Sequence, residues 1–78
     1  MVIDTSAILA LLFNEPEADE IEIAIDEDPV RLMSAASGLE AAIVVEARLG
    51  AAGGREFDLL LHKTRIDLVA VTREQMEV

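Results

Sequence analysis

The chain has no cysteine, so it can form neither a disulfide framework nor a thiolate metal site. Its one histidine, His62, excludes a two-histidine metal motif. Tryptophan and tyrosine are absent and phenylalanine occurs twice, which leaves no aromatic platform for stacking bases. No apolar run reaches the roughly 18 residues of a membrane span, and no basic segment opens the chain as a secretory signal would. This reading points to no membrane association and is compatible with a cytoplasmic home. Basic residues are scarce too. Six face sixteen acids, giving a net charge of −10, which at first argues against a nucleic-acid partner.

The charge is uneven. Residues 1–30 hold nine acids and no base, and eight of those acids lie between Glu15 and Asp28. The rest of the chain is close to neutral. The early acids read as the solvated face of a helix, so the overall charge says little about what a site binds. Hydrophobic residues make up 53%, too many for disorder. With 78 residues there is room for one small domain, in a size range where a single core gives limited stability.

Met1-Val2-Ile3 reads as a short buried strand ending at Asp4. Thr5-Ser6 can cap a helix that continues through the apolar run Ala7 to Phe13, which should be mostly buried. Asn14-Glu15-Pro16 stops it, and Pro16 suits the first position of the next helix. Residues 17–27 alternate like a strand at Ile21-Glu22-Ile23. Their Ala and Glu content and the spacing of Ala18, Ile21 and Ile25 favour a helix, ended by Pro29. Val30 to Met33 reads as a second strand. Ser34 caps a helix over about 35–49, through Leu39, Ala42, Ile43, Ala47 and Leu49, with Gly50 as its C′ residue. Ala51 to Gly54 reads as a turn, and 55–64 as a further helix with Phe57, Leu60, Leu61 and Thr64 on one stripe. Ile66 to Val71 is a third strand, and Thr72 to Gln75 has the form of a capping box.

The order β-α-α-β-α-α-β-α predicts an α/β fold: three layers, α/β/α, with a mainly parallel sheet. The pattern looks incomplete. One turn of helix cannot sustain itself, and apolar parallel strands need cover on both faces. The chain is therefore expected to be the N-terminal part of a larger domain.

Two carboxylates stand out. Asp4 ends the first strand, and parallel sheets bind ligands beyond the carboxyl ends of their strands. It could hold a cation there or serve as a helix N-cap. Glu40 falls in the second turn of the helix after strand two, amid small and apolar residues, near the same end of the sheet. Two carboxylates without nearby His or Cys suit a hard, oxygen-loving ion such as Mg²⁺ or Mn²⁺. The hydroxyls of Thr5 and Ser6 could position a carboxylate or a phosphate. Glu46 reads as an ordinary helix acid able to pair with a base, and His62 as a surface residue. The scattered bases, Arg31 among them, read as solvated. Gly50, Gly53 and Gly54 lack the G-K-[ST] of a phosphate loop and read as turn glycines. The second Asp of a D-x-D phosphotransferase is also absent.

These residues resemble a known family. Met1 to Leu9 is similar to the opening of PIN-domain proteins. Asn14-Glu15-Pro16-Glu17-Ala18, Arg31 to Ser37, Leu39-Glu40-Ala41, Glu46 to Gly50, Gly53 to Glu56 and Val71-Thr72 resemble VapC-type toxin ribonucleases, and the likeness covers essentially all of residues 1–78. The resemblance implies an endoribonuclease dependent on Mg²⁺ or Mn²⁺, the toxin of a toxin–antitoxin pair. RNA would be its substrate, a VapB-type antitoxin its partner, and a homodimer its assembly. Asp4 and Glu40 would be its first two acidic metal-site residues, with Ser6 or Thr5 beside them. The family's remaining aspartates have no counterpart in this chain. The alternative expectation is a catalytically silent PIN fragment that only dimerises or binds an antitoxin.

Overall fold

The computed structural model describes residues 1–70, which run α1 (Thr5–Leu12), α2 (Ala18–Glu27), β1 (Leu32–Ser34), α3 (Ala35–Thr64) and β2 (Asp67–Val69). The capping box at Thr72 and the helix expected after it lie outside the described residues, as does Val71.

β1 and β2 pair in parallel, Leu32 opposite Asp67 and Ser34 opposite Val69. On the other side of β1, Val2 makes an isolated parallel bridge to Leu32. The strand expected over Met1–Ile3 is therefore reduced to one bridge. Its bonds run from Leu32 N–H to Met1 C=O (3.0 Å) and from Ile3 N–H to Leu32 C=O (2.7 Å). Ile3 is buried, but Val2 is 80% exposed. Among the described residues the segment has a neighbour on one side only, and Asp4 turns to begin a helix, so the ladder stops there.

Asp4 caps α1. Thr5 and Ser6, expected as caps, lie inside the first turn. At the other end Asn14 takes a left-handed φ of 50° that Asn tolerates, and Glu15 N–H bonds Ala10 C=O at 2.9 Å. Pro16 sits in the turn before α2 rather than at its first position. α2 buries Ala18 and Ile25 and leaves Asp19, Glu20, Glu22, Asp26 and Glu27 exposed, as the acidic helix face requires.

α3 departs most from expectation. It spans 30 residues and bends at Gly50, whose φ of 68° and ψ of −158° are essentially restricted to glycine. The break at Gly50 was anticipated; the turn over 51–54 is instead helical. Gly50 alone absorbs the change of direction, so the helix resumes at once. Gly53 is a packing residue: a Cβ there would lie 2.5 Å from Leu49 Cβ and 2.8 Å from Val45 Cγ1. The buried face of the first arm also differs. Gly38, Ala41 and Val45 point inward, while Leu39 and Ile43 are 64% and 61% exposed. Small residues face the interior because the helix lies close to β2. A Cβ on Gly38 would come 2.9 Å from Leu68 Cδ2. In the second arm the expected stripe holds, with Phe57 buried and Leu60, Leu61 and Thr64 half-buried.

The core gathers Ile3, Ile8, Ile25, Met33, Ala41, Val45, Phe57 and Ile66 from every element except β2 and from the segments flanking the sheet. Fully burying a side chain such as Ile8 or Ile25 contributes about 1.5–3 kcal/mol. Arg31, expected to be merely solvated, instead fastens two helix ends. Its guanidinium donates to Asp28 C=O (2.9 Å), Thr64 C=O (2.8 Å) and Asp26 C=O (3.0 Å). Helix C-terminal carbonyls carry partial negative charge, so a cation is held there favourably. The ion pair between the Met1 amino group and Asp28 (2.9 Å), and the bond from that amino group to Val30 C=O, bind the start of the chain to the same loop.

Candidate functional site

The carboxyl edge of the sheet is where the extended segments ending in Asp4 and Ser34 turn into helices. Ser34 closes β1 opposite Val69. Counting on from the Val2–Leu32 bridge, Asp4 falls level with Ser34. Two helix N-termini, those of α1 and α3, therefore start side by side, each capped by the last residue of an extended segment.

Asp4 accepts from Ala7 N–H (2.9 Å) and from the Ser6 hydroxyl (2.8 Å), both through Oδ1. The Ala7 bond, then the Ser6 bond, hold its carboxyl below the ordinary aspartate range, because both favour the charged form. Among the described residues Oδ2 has no hydrogen-bond partner, and the residue is exposed. One oxygen is thus committed to the helix and the other is open to a ligand. The two roles weighed for Asp4 are compatible.

Ser34 caps α3 by accepting from Ser37 N–H (3.0 Å), and the two serine hydroxyls lie 2.9 Å apart. Thr5 bridges the helices: its hydroxyl donates to Ser37 C=O at 3.3 Å. Ser37 precedes Glu40 by three residues on α3, so the Thr5 bond ties the start of α1 to the turn that leads into Glu40. Glu40 is exposed. Ser6 and Asp4 share one hydrogen bond and Thr5 bonds separately to Ser37 C=O; among the described residues Glu40 has no hydrogen bond to any of the three. Sequence reasoning missed Ser37 as the link, since the accepting group is a backbone carbonyl that no residue type announces.

The donors are all oxygens, as a hard cation requires. Among the described residues no group of three or more His, Cys, Asp or Glu could hold a metal. Asp4, with one unpartnered oxygen beside the Ser6 hydroxyl, offers the kind of donor taken by an ion that keeps most of its water, as Mg²⁺ usually does. Glu46, expected to pair with a base, lies across the bend instead, where a Cβ on Gly54 would meet its Oε1 at 3.1 Å. The Arg48 guanidinium stacks 5.0 Å from the centre of the Phe13 ring. His62 is exposed and plays no part at this edge.

Compared with known families, residues 1–78 match the PIN domain. The chain is 56% identical over 77 residues to "Ribonuclease VapC30" of Mycobacterium tuberculosis, which covers 99% of this chain and 59% of that protein. It is also 56% identical over 77 residues to "Ribonuclease VapC" of Mycolicibacterium smegmatis, covering 99% and 60%. "Ribonuclease VapC28" of M. tuberculosis is 36% identical over 75 residues, covering 96% and 56%. The chain thus spans about three-fifths of the length of these relatives. Among the described residues no helix is long and apolar enough to cross a membrane.

Proposed function

This chain belongs to the PIN-domain family, and on that premise we propose that it forms the N-terminal part of a single PIN-like domain that hydrolyses RNA as a VapC-type toxin. The complete domain would be the expected three-layer α/β/α arrangement, cytoplasmic and held by a VapB-type antitoxin. The observation that carries this reading is Asp4: an ionised carboxylate at the carboxyl edge of the sheet, fixed through one oxygen and open at the other. Thr5 links it to the turn of α3 that leads into Glu40. Asp4 and Glu40 would hold Mg²⁺ or Mn²⁺. When bound, such an ion supplies Lewis acidity toward a phosphodiester and reverses the local charge, so that an acidic chain can accept RNA.

The protein's own residues do the positioning. Ala7 N–H and the Ser6 hydroxyl keep Asp4 charged and fix its rotamer. The Thr5 hydroxyl keeps the two helix starts in register. The N-termini of α1 and α3 add partial positive charge where phosphate oxygens would approach.

Cleavage of RNA in Mg²⁺ or Mn²⁺ tests the reading. A chain extended to the length of its relatives is expected to cut, and Asp4→Asn to lower the rate by about 10²-fold or more, the loss that misplacing a reacting group by about 1 Å can cause. Undiminished cleavage by the Asp4→Asn form would refute the assignment. The catalytically silent alternative draws on one observation, that no cluster of three acids forms among the described residues. It predicts that the 78-residue chain cuts nothing while still binding an antitoxin or a second copy.

A further inference from the structure

Asp4 is placed by the sheet, because Ile3 before it donates its N–H to Leu32 C=O at 2.7 Å. The two groups that bond Asp4 Oδ1, Ala7 N–H and the Ser6 hydroxyl, belong instead to the first turn of α1. Their aim at the carboxylate therefore depends on the angle at which α1 leaves the sheet. Thr5 fixes the near end of the helix through its 3.3 Å bond to Ser37 C=O on α3. Among the described residues no hydrogen bond joins the far end of α1 to α3. There the Arg48 guanidinium lies over the ring of Phe13, the residue that ends the helix, 5.0 Å from its centre. The Arg48 charge also reaches the turn that follows. A hydrogen bond with the Glu17 carboxyl pushes the Glu15 pKa up, and Arg48 opposes that rise.

We propose that Arg48 is a positioning residue for Asp4: laid over Phe13, it fixes the far end of α1 against α3 and so keeps Ala7 N–H and the Ser6 hydroxyl aimed at the carboxylate. The arrangement is that of a lever. α1 has eight residues, which at 1.5 Å each is about 12 Å of rigid helix. Ile8, fully buried near its middle, is the fulcrum. A shift of about 1 Å at the far end therefore swings the start by a similar amount. Ser37 and Arg48 both lie in the arm of α3 before the bend at Gly50, so the two fastenings share one rail. The consequence for function rests on the ribonuclease reading of Asp4, since misplacing a reacting group by about 1 Å can cost ~10²-fold in rate.

The test follows hydrogen exchange of the Ala7 amide, the donor to Asp4, in the ¹⁵N-labelled 78-residue chain. The Val30 amide, which bonds the Asp28 carboxylate away from α1, is the control. Neither RNA nor metal is present, so the outcome is independent of whether the chain cuts RNA. Arg48→Met removes the charge and keeps an apolar stem at an exposed position, where no core packing is disturbed. Phe13→Leu removes the ring without altering the charge. Each is expected to speed Ala7 exchange about two- to fivefold, the range that loss of a cation–ring contact at an exposed site allows, and to leave Val30 unaltered. The double variant is expected to go no further than the faster single one, because both changes remove the same contact. Arg48→Lys, which can still place a cation over the ring, is expected to exchange close to the original rate. Unchanged Ala7 exchange in both single variants would overturn the inference. So would equal acceleration at Ala7 and Val30, which marks a general loss of stability, effects that add in the double variant, or Arg48→Lys exchanging as fast as Arg48→Met.

Discussion

At the residue scale, two side chains have roles that their chemistry makes measurable. Asp4 is held in its charged form by Ala7 N–H and the Ser6 hydroxyl. Its folded pKa is depressed, so its contribution to stability is present above the unfolded value of about 3.9 and is lost as pH falls through the folded value. NMR titration of the Asp4 carboxyl should place its midpoint below the ordinary aspartate value, and Ser6→Ala should move that midpoint upward. Arg31 offers a larger effect. Its three bonds to carbonyls at the ends of α2 and α3 are charge-assisted, and those to Asp28 and Thr64 are partly buried. Arg31→Ala should cost about 1–3 kcal/mol, read as a lower urea midpoint. Arg31→Lys should restore only part of it, because an ammonium cannot reproduce the planar fork. Nothing in the spacing of the bases marked Arg31 as different. What distinguishes it is a position after one helix end and within reach of another, and the second of those comes from sequence 33 residues away.

At the element scale, α3 shows how one residue shapes a helix. Gly50 holds φ 68° and ψ −158°, and nothing lies within 4 Å of where its Cβ would be. Space is therefore no obstacle to a side chain there; the backbone conformation is. Gly50→Ala should destabilise the chain by about 1–3 kcal/mol through strain alone. Thermal or urea unfolding checks this, and an unchanged midpoint would mean that the bend can relax. The first arm of α3 also reverses a common assumption. Leu39 and Ile43 look like core residues, yet the interior takes Gly38, Ala41 and Val45. Burial follows the distance between elements here, and small side chains permit the close approach of α3 to Leu68.

At the scale of the whole molecule, charge and cover dominate. Nine acids without a base in residues 1–30 repel one another, and five of them lie on the exposed face of α2. Self-repulsion destabilises a compact state, and salt screens it over a Debye length of about 10 Å at 0.1 M. The melting temperature should therefore rise between about 0.01 and 0.15 M salt. A fall would show that the Met1–Asp28 pair and the helix-end contacts outweigh the repulsion. Leu39, Ile43 and Leu59 are each more than 60% exposed, which in a chain this small leaves much apolar surface for further cover.

Local chemistry was enough to locate most of the elements. The helix over residues 18–27, the strand entering Ser34, the break at Gly50 and the stripe through Phe57 and Leu61 all follow from periodicity, caps and glycine, which act within a few residues. Two helix caps at the candidate site were legible to the same degree, Asp4 by its place after an apolar run and Ser34 by its place before a helix, whereas no residue type announced the carbonyl that Thr5 reaches. Three features became visible only in the folded chain. The first segment makes one bridge rather than a strand, because pairing depends on how many neighbours the sheet supplies. The inner face of α3 is its small-residue face, because packing distance decides burial. Thr5 and Ser37 join across 32 residues, and Arg31 reaches Thr64 across 33, because hydrogen bonds to backbone carbonyls depend on where the chain returns and not on which residue it carries there.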